Sequence, residues 1–196
     1  MSLGITANVK KNGALLAYIA NSIPNIHLRK LLKIVYLIDE KFMKMRNFPI
    51  TWFDYYVWEK GPVAPEVYNI KNGAFGDYVL CHKNNKGSNI VESVLSTKYQ
   101  IQKQMDIFSP FELEVIDTVI SENESKTPDE LTSLTHEEGT LWFEMVKKHS
   151  VTFVDGKSDI EIPLYLLNGD DINKNEIYEE AKWNMGFQAV LNQDNL

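Results

Sequence analysis

"HLRKLLKIVYLIDEKFMKMRN", residues 27–47, is the stretch whose reading decides the fold. Leu28, Leu31, Leu32, Val35, Ile38 and Phe42 fall on an i, i+3, i+4, i+7 rhythm, and Ile34, Leu37 and Met45 widen the apolar face. That width predicts a helix buried on more than one side. Lys30, Lys33, Lys41 and Lys44 occupy the strip that remains, so the helix is expected to show solvent a basic stripe.

Upstream, Thr6 can cap a helix over roughly residues 7–20, with Val9, Gly13, Leu16 and Ala20 on one side and Pro24 closing it. Downstream of Asn47 and Pro49 the pattern turns to β-favouring aromatics in "TWFDYYVW", broken by "EKGP". Gly61 permits a turn, Pro62 stiffens it, and Pro65 suits the first turn of a short helix running to Gly73. Residues 77–83 and 89–95 read as two strands joined by "KNNKGSN", hence a small antiparallel sheet. "STKYQIQKQMDIF" is compatible with extended chain or loop. Ser109–Pro110–Glu112 and Thr127–Pro128–Glu130 are capping boxes that start two helices, a third follows Gly139, and Asp170 or Asp171 caps a last one with Ile172, Ile177, Ala181 and Met185 along a stripe. The fold expected is mainly α with a small antiparallel β element, a compact helical domain with one short hairpin or small sheet.

Composition narrows the function classes. The 196 residues carry a net charge of −7 and a single cysteine, Cys81, which excludes an intrachain disulfide. Residues 1–48 hold eight Lys/Arg against two Asp/Glu, whereas residues 106–196 hold six against twenty. The basic helices are therefore expected to pack beside the acidic ones. No apolar run reaches the length of a signal-peptide core or a membrane span, so a cytoplasmic protein with no membrane partner is expected.

Three separated motifs carry a resemblance. "LRKLLKIVYLIDEKF", then Trp58 with "GPVAPEVY", then "ELTSLTHEEGTLW" are similar, in order and spacing, to the signatures of the SocA-like Panacea domain, a family that includes phage-associated GepA-type proteins. The similarity spans about residues 6–150 of a single domain, leaving 151–196 as a C-terminal extension expected to pack on the core. It implies an antitoxin that neutralises a protein toxin, encoded by the adjacent gene, through direct binding. A chaperone-like action or an escort of the toxin to a cellular protease fits the same resemblance. The matching positions with an implied structural role are Lys30, Leu31, Leu32, Gly61, Pro65, Thr135, His136 and Trp142.

The residues by themselves offer little chemistry. His27, His82, His136 and His149 are scattered, and "THEEGTLW" lacks the H-E-x-x-H spacing of a zinc helix, so no metal or cofactor is expected. No nucleophile elbow, Walker loop or dinucleotide fingerprint occurs, and an enzyme is not expected. Nucleic acid is a poor match for an acidic chain with no helix-turn-helix pair; a DNA-binding regulator, an enzyme and a phage-associated interaction module of another pathway stand as alternatives. The expected partner-binding residues are Tyr36, Trp58, Lys60, Pro62, Tyr68 and Lys33, with the aromatic rings gathered in a groove and Lys60 at its rim.

Overall fold

The computed structural model describes residues 2–95 and 97–193. Nearly all of the expected helices form, and more than half of the other elements pack directly on one of them. In chain order the elements are α1 (Leu3–Thr6), α2 (Val9–Ser22), β1 (Ile26–His27), α3 (Leu28–Arg46), β2 (Tyr56–Trp58), β3 (Gly61–Val63), α4 (Pro65–Tyr68, continued by a 3-10 turn over Asn69–Asn72), β4 (Val79–Lys83), β5 (Asn89–Ser93), α5 (Lys98–Met105), α6 (Pro110–Asn123), α7 (Pro128–Thr135), α8 (Leu141–His149), a 3-10 turn over Leu164–Asn168, and α9 (Ile172–Gln193). The protein is mainly α with small antiparallel sheets, as the patterning predicts.

Helix α3 is the axis. Leu31, Ile34, Val35, Tyr36, Ile38 and Met43 are all fully buried, and the helix touches α2, α4, α6, α7, β1, β3, β5 and the Leu164–Asn168 turn. A helix enclosed on so many sides has no strip left for a basic stripe. Lys41 and Lys44 do reach the surface region, but Lys30 and Lys33 are buried, which corrects the expectation of four solvent-facing lysines. Burial obliges each to find oxygen partners. Lys30 Nζ donates to the carbonyls of Glu124 (2.6 Å) and Lys126 (2.7 Å), where α6 ends and unpaired carbonyls gather. Lys33 Nζ donates to the Pro62 carbonyl at 2.9 Å.

The third buried charge of α3 is Asp39. Its Oδ1 accepts from the backbone N–H groups of Ile50 and Thr51, both at 2.9 Å, and its Oδ2 accepts from the Thr51 hydroxyl and from Tyr55 Oη at 2.7 Å. Burial pushes the carboxyl above its ordinary value, and these hydrogen bonds pull against that shift. The loop 48–55 is therefore irregular but held at the helix surface, and only Tyr56–Trp58 forms strand.

Two antiparallel sheets flank the axis. β4 and β5 form the expected hairpin, and the sequence reading misses the third strand, β1, whose Ile26 and His27 pair with Val91 and Ile90. β2 and β3 pair through Tyr56–Val63, Val57–Pro62 and Trp58–Gly61, so "GPV" is itself a strand rather than a plain elbow between a strand and a helix. Helix α5 replaces the extended or loop reading of its segment; Thr97 and Gln100 make a capping box there, while Ser96 lies outside the described residues. The capping boxes at Ser109–Glu112 and Thr127–Glu130 form as read. Thr6 closes α1 instead of capping α2, whose Val9 is exposed.

The charge asymmetry resolves into a seam. Lys11 pairs with Glu112 (2.6 Å), Arg29 with Asp129 (2.7 Å) and Lys41 with Glu122 (2.9 Å), each joining a basic N-terminal residue to the acidic second half. The tail returns along β2: Val57 N–H donates to Ile160 O and Ile162 N–H to Tyr55 O, and Ile162 and Leu164 are buried. Asp171 caps α9 by accepting from Lys174 N–H, and residues 194–196 of the expected extension lie outside the described residues. On α9, Ala181 and Met185 face inward as expected, but Ile172 and Ile177 are exposed, because Tyr178 and Ala189 define the packed side.

Replacing Asp39 by Ala leaves four buried donors without their acceptor and should destabilise the protein by about 3 kcal/mol or more, with a smaller loss for Asp39→Asn. Urea unfolding of the three proteins measures this.

Candidate functional site

The β2–β3 turn, Glu59–Lys60, is closed by Gly61 at φ +99°, a backbone state that side chains disfavour. Space forbids a side chain as well. A Cβ on Gly61 would lie 2.6 Å from Lys33 Nζ and 2.7 Å from Thr135 Oγ1. The hairpin therefore sits directly against α3 and the end of α7. Pro62 is buried, with its carbonyl serving as the acceptor for Lys33, and Pro65 occupies the first turn of α4.

Helices α7 and α8 complete the junction. Trp142 Nε1 donates to the Trp58 carbonyl at 2.9 Å, fixing the end of β2. The His136 ring stacks on Trp142 with centroids 3.6 Å apart and an interplanar angle of 9°. Burial, helped by the Lys33 and Lys60 charges, lowers the His136 pKa to about 4, so the imidazole is neutral at physiological pH. Its Nε2 is buried without a hydrogen-bond partner among the described residues. Lys33 is also strongly perturbed: complete burial, with Arg29 adding repulsion, brings its ammonium down to about 7.

On the outer side of this junction lies a groove of about 460 Å³. Leu28, Leu32 and Val63 contribute apolar surface, and Trp58 and Tyr68 meet edge to face at 4.8 Å. Cations hold the rings: Lys71 Nζ sits 3.9 Å from the Tyr68 centroid, and Lys157 Nζ lies 4.9 Å from that of Trp58 and 5.5 Å from that of Tyr68. Trp58 and Lys157 also border a wider concavity of about 850 Å³ that extends past Tyr56, Pro65 and Glu66.

Of the expected partner-binding residues, Trp58, Lys60 and Tyr68 border the groove, while Lys33 lies beneath it with no accessible surface of its own. Pro62 lies behind it. Tyr36 does not join them: it is buried in the core, edge-on to Tyr55 at 5.2 Å, with its hydroxyl donating to Glu40. The motif residues Lys30, Leu31 and Leu32 belong to the α3 core, while Gly61, Thr135, His136 and Trp142 build the junction. Sequence reasoning missed Lys157. It reaches the rings because the tail hydrogen-bonds along β2, with Glu59 N–H donating to Gly156 O at 2.9 Å, and nothing in local pattern signals that return.

Among the described residues, no His, Cys, Asp and Glu cluster of three or more could hold a metal ion, and no helix is long and apolar enough to cross a membrane. The family described as Antitoxin SocA-like, Panacea domain, matches residues 31–143, a narrower span than the 6–150 expected from the motifs. Neither a curated protein nor a solved structure matches the chain.

Because the folded Lys33 pKa is about 7 and the unfolded value about 10.5, the unfolded chain binds a proton that the folded one releases between those limits. Stability should rise from pH 7 to 9, by up to about 1.4 kcal/mol per pH unit. Urea midpoints of Lys33→Met should lack this slope, and Gly61→Ala should be strongly destabilised at every pH.

Proposed function

The chain belongs to the SocA-like Panacea antitoxin family, and from that membership we propose that it neutralises a cognate protein toxin by binding it directly in the Trp58–Tyr68 groove. The observation that carries the reading is the aromatic pair itself. Both rings are half-buried and fixed from behind: Trp58 by the Trp142 hydrogen bond to its carbonyl, Tyr68 by its place at the end of α4. Rigid aromatic anchors lose little entropy on binding, and such side chains supply most of the energy of protein interfaces.

Binding is favoured over catalysis by the placement of the titratable groups. Lys33, whose pKa burial brings down to about 7, has no solvent-accessible surface, and His136 is stacked flat against Trp142. These groups support the hairpin. The toxin is expected to be the product of the adjacent gene, with both proteins in the cytoplasm. Handing the bound toxin to a protease would be a second stage of the same action, visible as a shortened toxin half-life.

Co-expression with the adjacent gene's product should abolish its growth inhibition, and the two proteins should co-purify. Trp58→Ala and Tyr68→Ala should each weaken the complex about tenfold or more while the protein stays folded. Tyr36→Ala should lose neutralisation through a lowered melting temperature, since that ring is core. A folded Trp58→Ala, Tyr68→Ala double variant that neutralises at wild-type affinity overturns the groove assignment. Affinity that collapses between low and physiological salt would instead favour a phosphate-reading surface.

A further inference from the structure

Helix α9 has two apolar faces, and the body of the protein uses one. Tyr178 stacks on Trp52 at 5.6 Å, Met185 Sδ accepts from Asn8 Nδ2, and Ala189 is buried, so this side is the packed one. Counting about 100° per residue, Trp183, Phe187 and Val190 point roughly 120–180° away from Tyr178. They are 69%, 52% and 57% exposed, and the Trp183 and Phe187 rings stack on each other at 5.9 Å and 4°. Ile172, at 73%, begins the same stripe. A tryptophan and a phenylalanine held side by side in water are costly to leave uncovered, and such residues are those that interfaces bury.

The charges on this face point to the occupant. Glu176 and Glu180 lie in the outward sector and Glu179 at its margin, whereas Lys174 and Lys182 fall on the packed side, Lys182 with its Nζ 5.7 Å from the Tyr178 centroid. The outward face thus runs from three carboxylates with no cation to an aromatic and aliphatic end. From this juxtaposition we infer that α9 is a docking surface for an amphipathic helix of a partner protein, one that sets Lys or Arg against Glu176, Glu179 and Glu180 and apolar side chains against Trp183, Phe187 and Val190. From Glu176 to Val190 the face is about 21 Å long, which four turns of helix cover. A second copy of the same face would bring no cation in either orientation, and an anionic membrane surface would repel the carboxylates. The surface lies outside the family-matched residues and shares no residue with the groove, so it does not depend on the groove's occupant.

The test uses the full chain and a labelled helical peptide of about 15 residues, with a leucine stripe flanked by lysines, beside a counterpart with glutamates in their place. Fluorescence anisotropy should show the lysine peptide binding and the glutamate peptide failing to bind. W183D/F187D should weaken the lysine peptide about tenfold or more at an unchanged melting temperature. E176K/E179K/E180K should reverse the preference between the two peptides. Failure of the lysine peptide to bind, or binding indifferent to W183D/F187D, overturns the inference. So does a dimer in sedimentation that W183D/F187D dissolves, which would assign the face to a second copy, or attachment to phosphatidylcholine vesicles that the same variant loses, which would assign it to a membrane.

Discussion

A helix enclosed on nearly every side cannot leave a charge unanswered, and α3 encloses three. Lys30, Lys33 and Asp39 each reach a different later part of the chain: the end of α6, the strand β3, and the loop 50–55. Lys33 and Asp39 have no accessible surface and Lys30 little, so each contact must be made largely within the protein or the fold bears the cost of a stranded charge. Apolar burial would tolerate several placements of these segments against α3. The buried charges accept far fewer, because hydrogen bonds have direction as well as distance.

The candidate site inherits its rigidity from the same constraint. Lys33 draws the Pro62 carbonyl inward, and Gly61 must be a glycine for the ammonium and Thr135 to come so close. With β3 held, β2 is held by pairing, and the Trp142 hydrogen bond closes its end. Trp58 and Tyr68 are thereby braced from behind where they border the groove. Burial in this crowded junction is also why His136 is neutral at physiological pH and why Lys33 titrates near 7.

Charge is distributed so that one half of the chain recruits the other. The Arg29–Asp129 and Lys41–Glu122 pairs lie partly in solvent, so each contributes little to stability, whereas Lys11–Glu112 is mostly buried; together the three join the acidic helices to the basic ones. Acid left over from this seam collects on α9, where the inner face completes the core and the outer face does not.

Local sequence determined most of the elements. Capping boxes at Ser109 and Thr127 depend on residues three apart, and the apolar rhythm of residues 28–42 on residues within two turns, so both are visible without knowing the rest of the chain. The three motifs likewise marked the family and, within it, the residues that build the junction. Only tertiary structure decided that Lys30 and Lys33 are inside, that Tyr36 is core while Trp58 and Tyr68 face a groove, and that Lys157 comes back to meet them. Strand β1, two residues long, forms only because β5 arrives to pair with it. Helical spacing places side chains on a face, but which faces are covered depends on partners distant in sequence, and the directional demands of a few buried polar groups choose those partners.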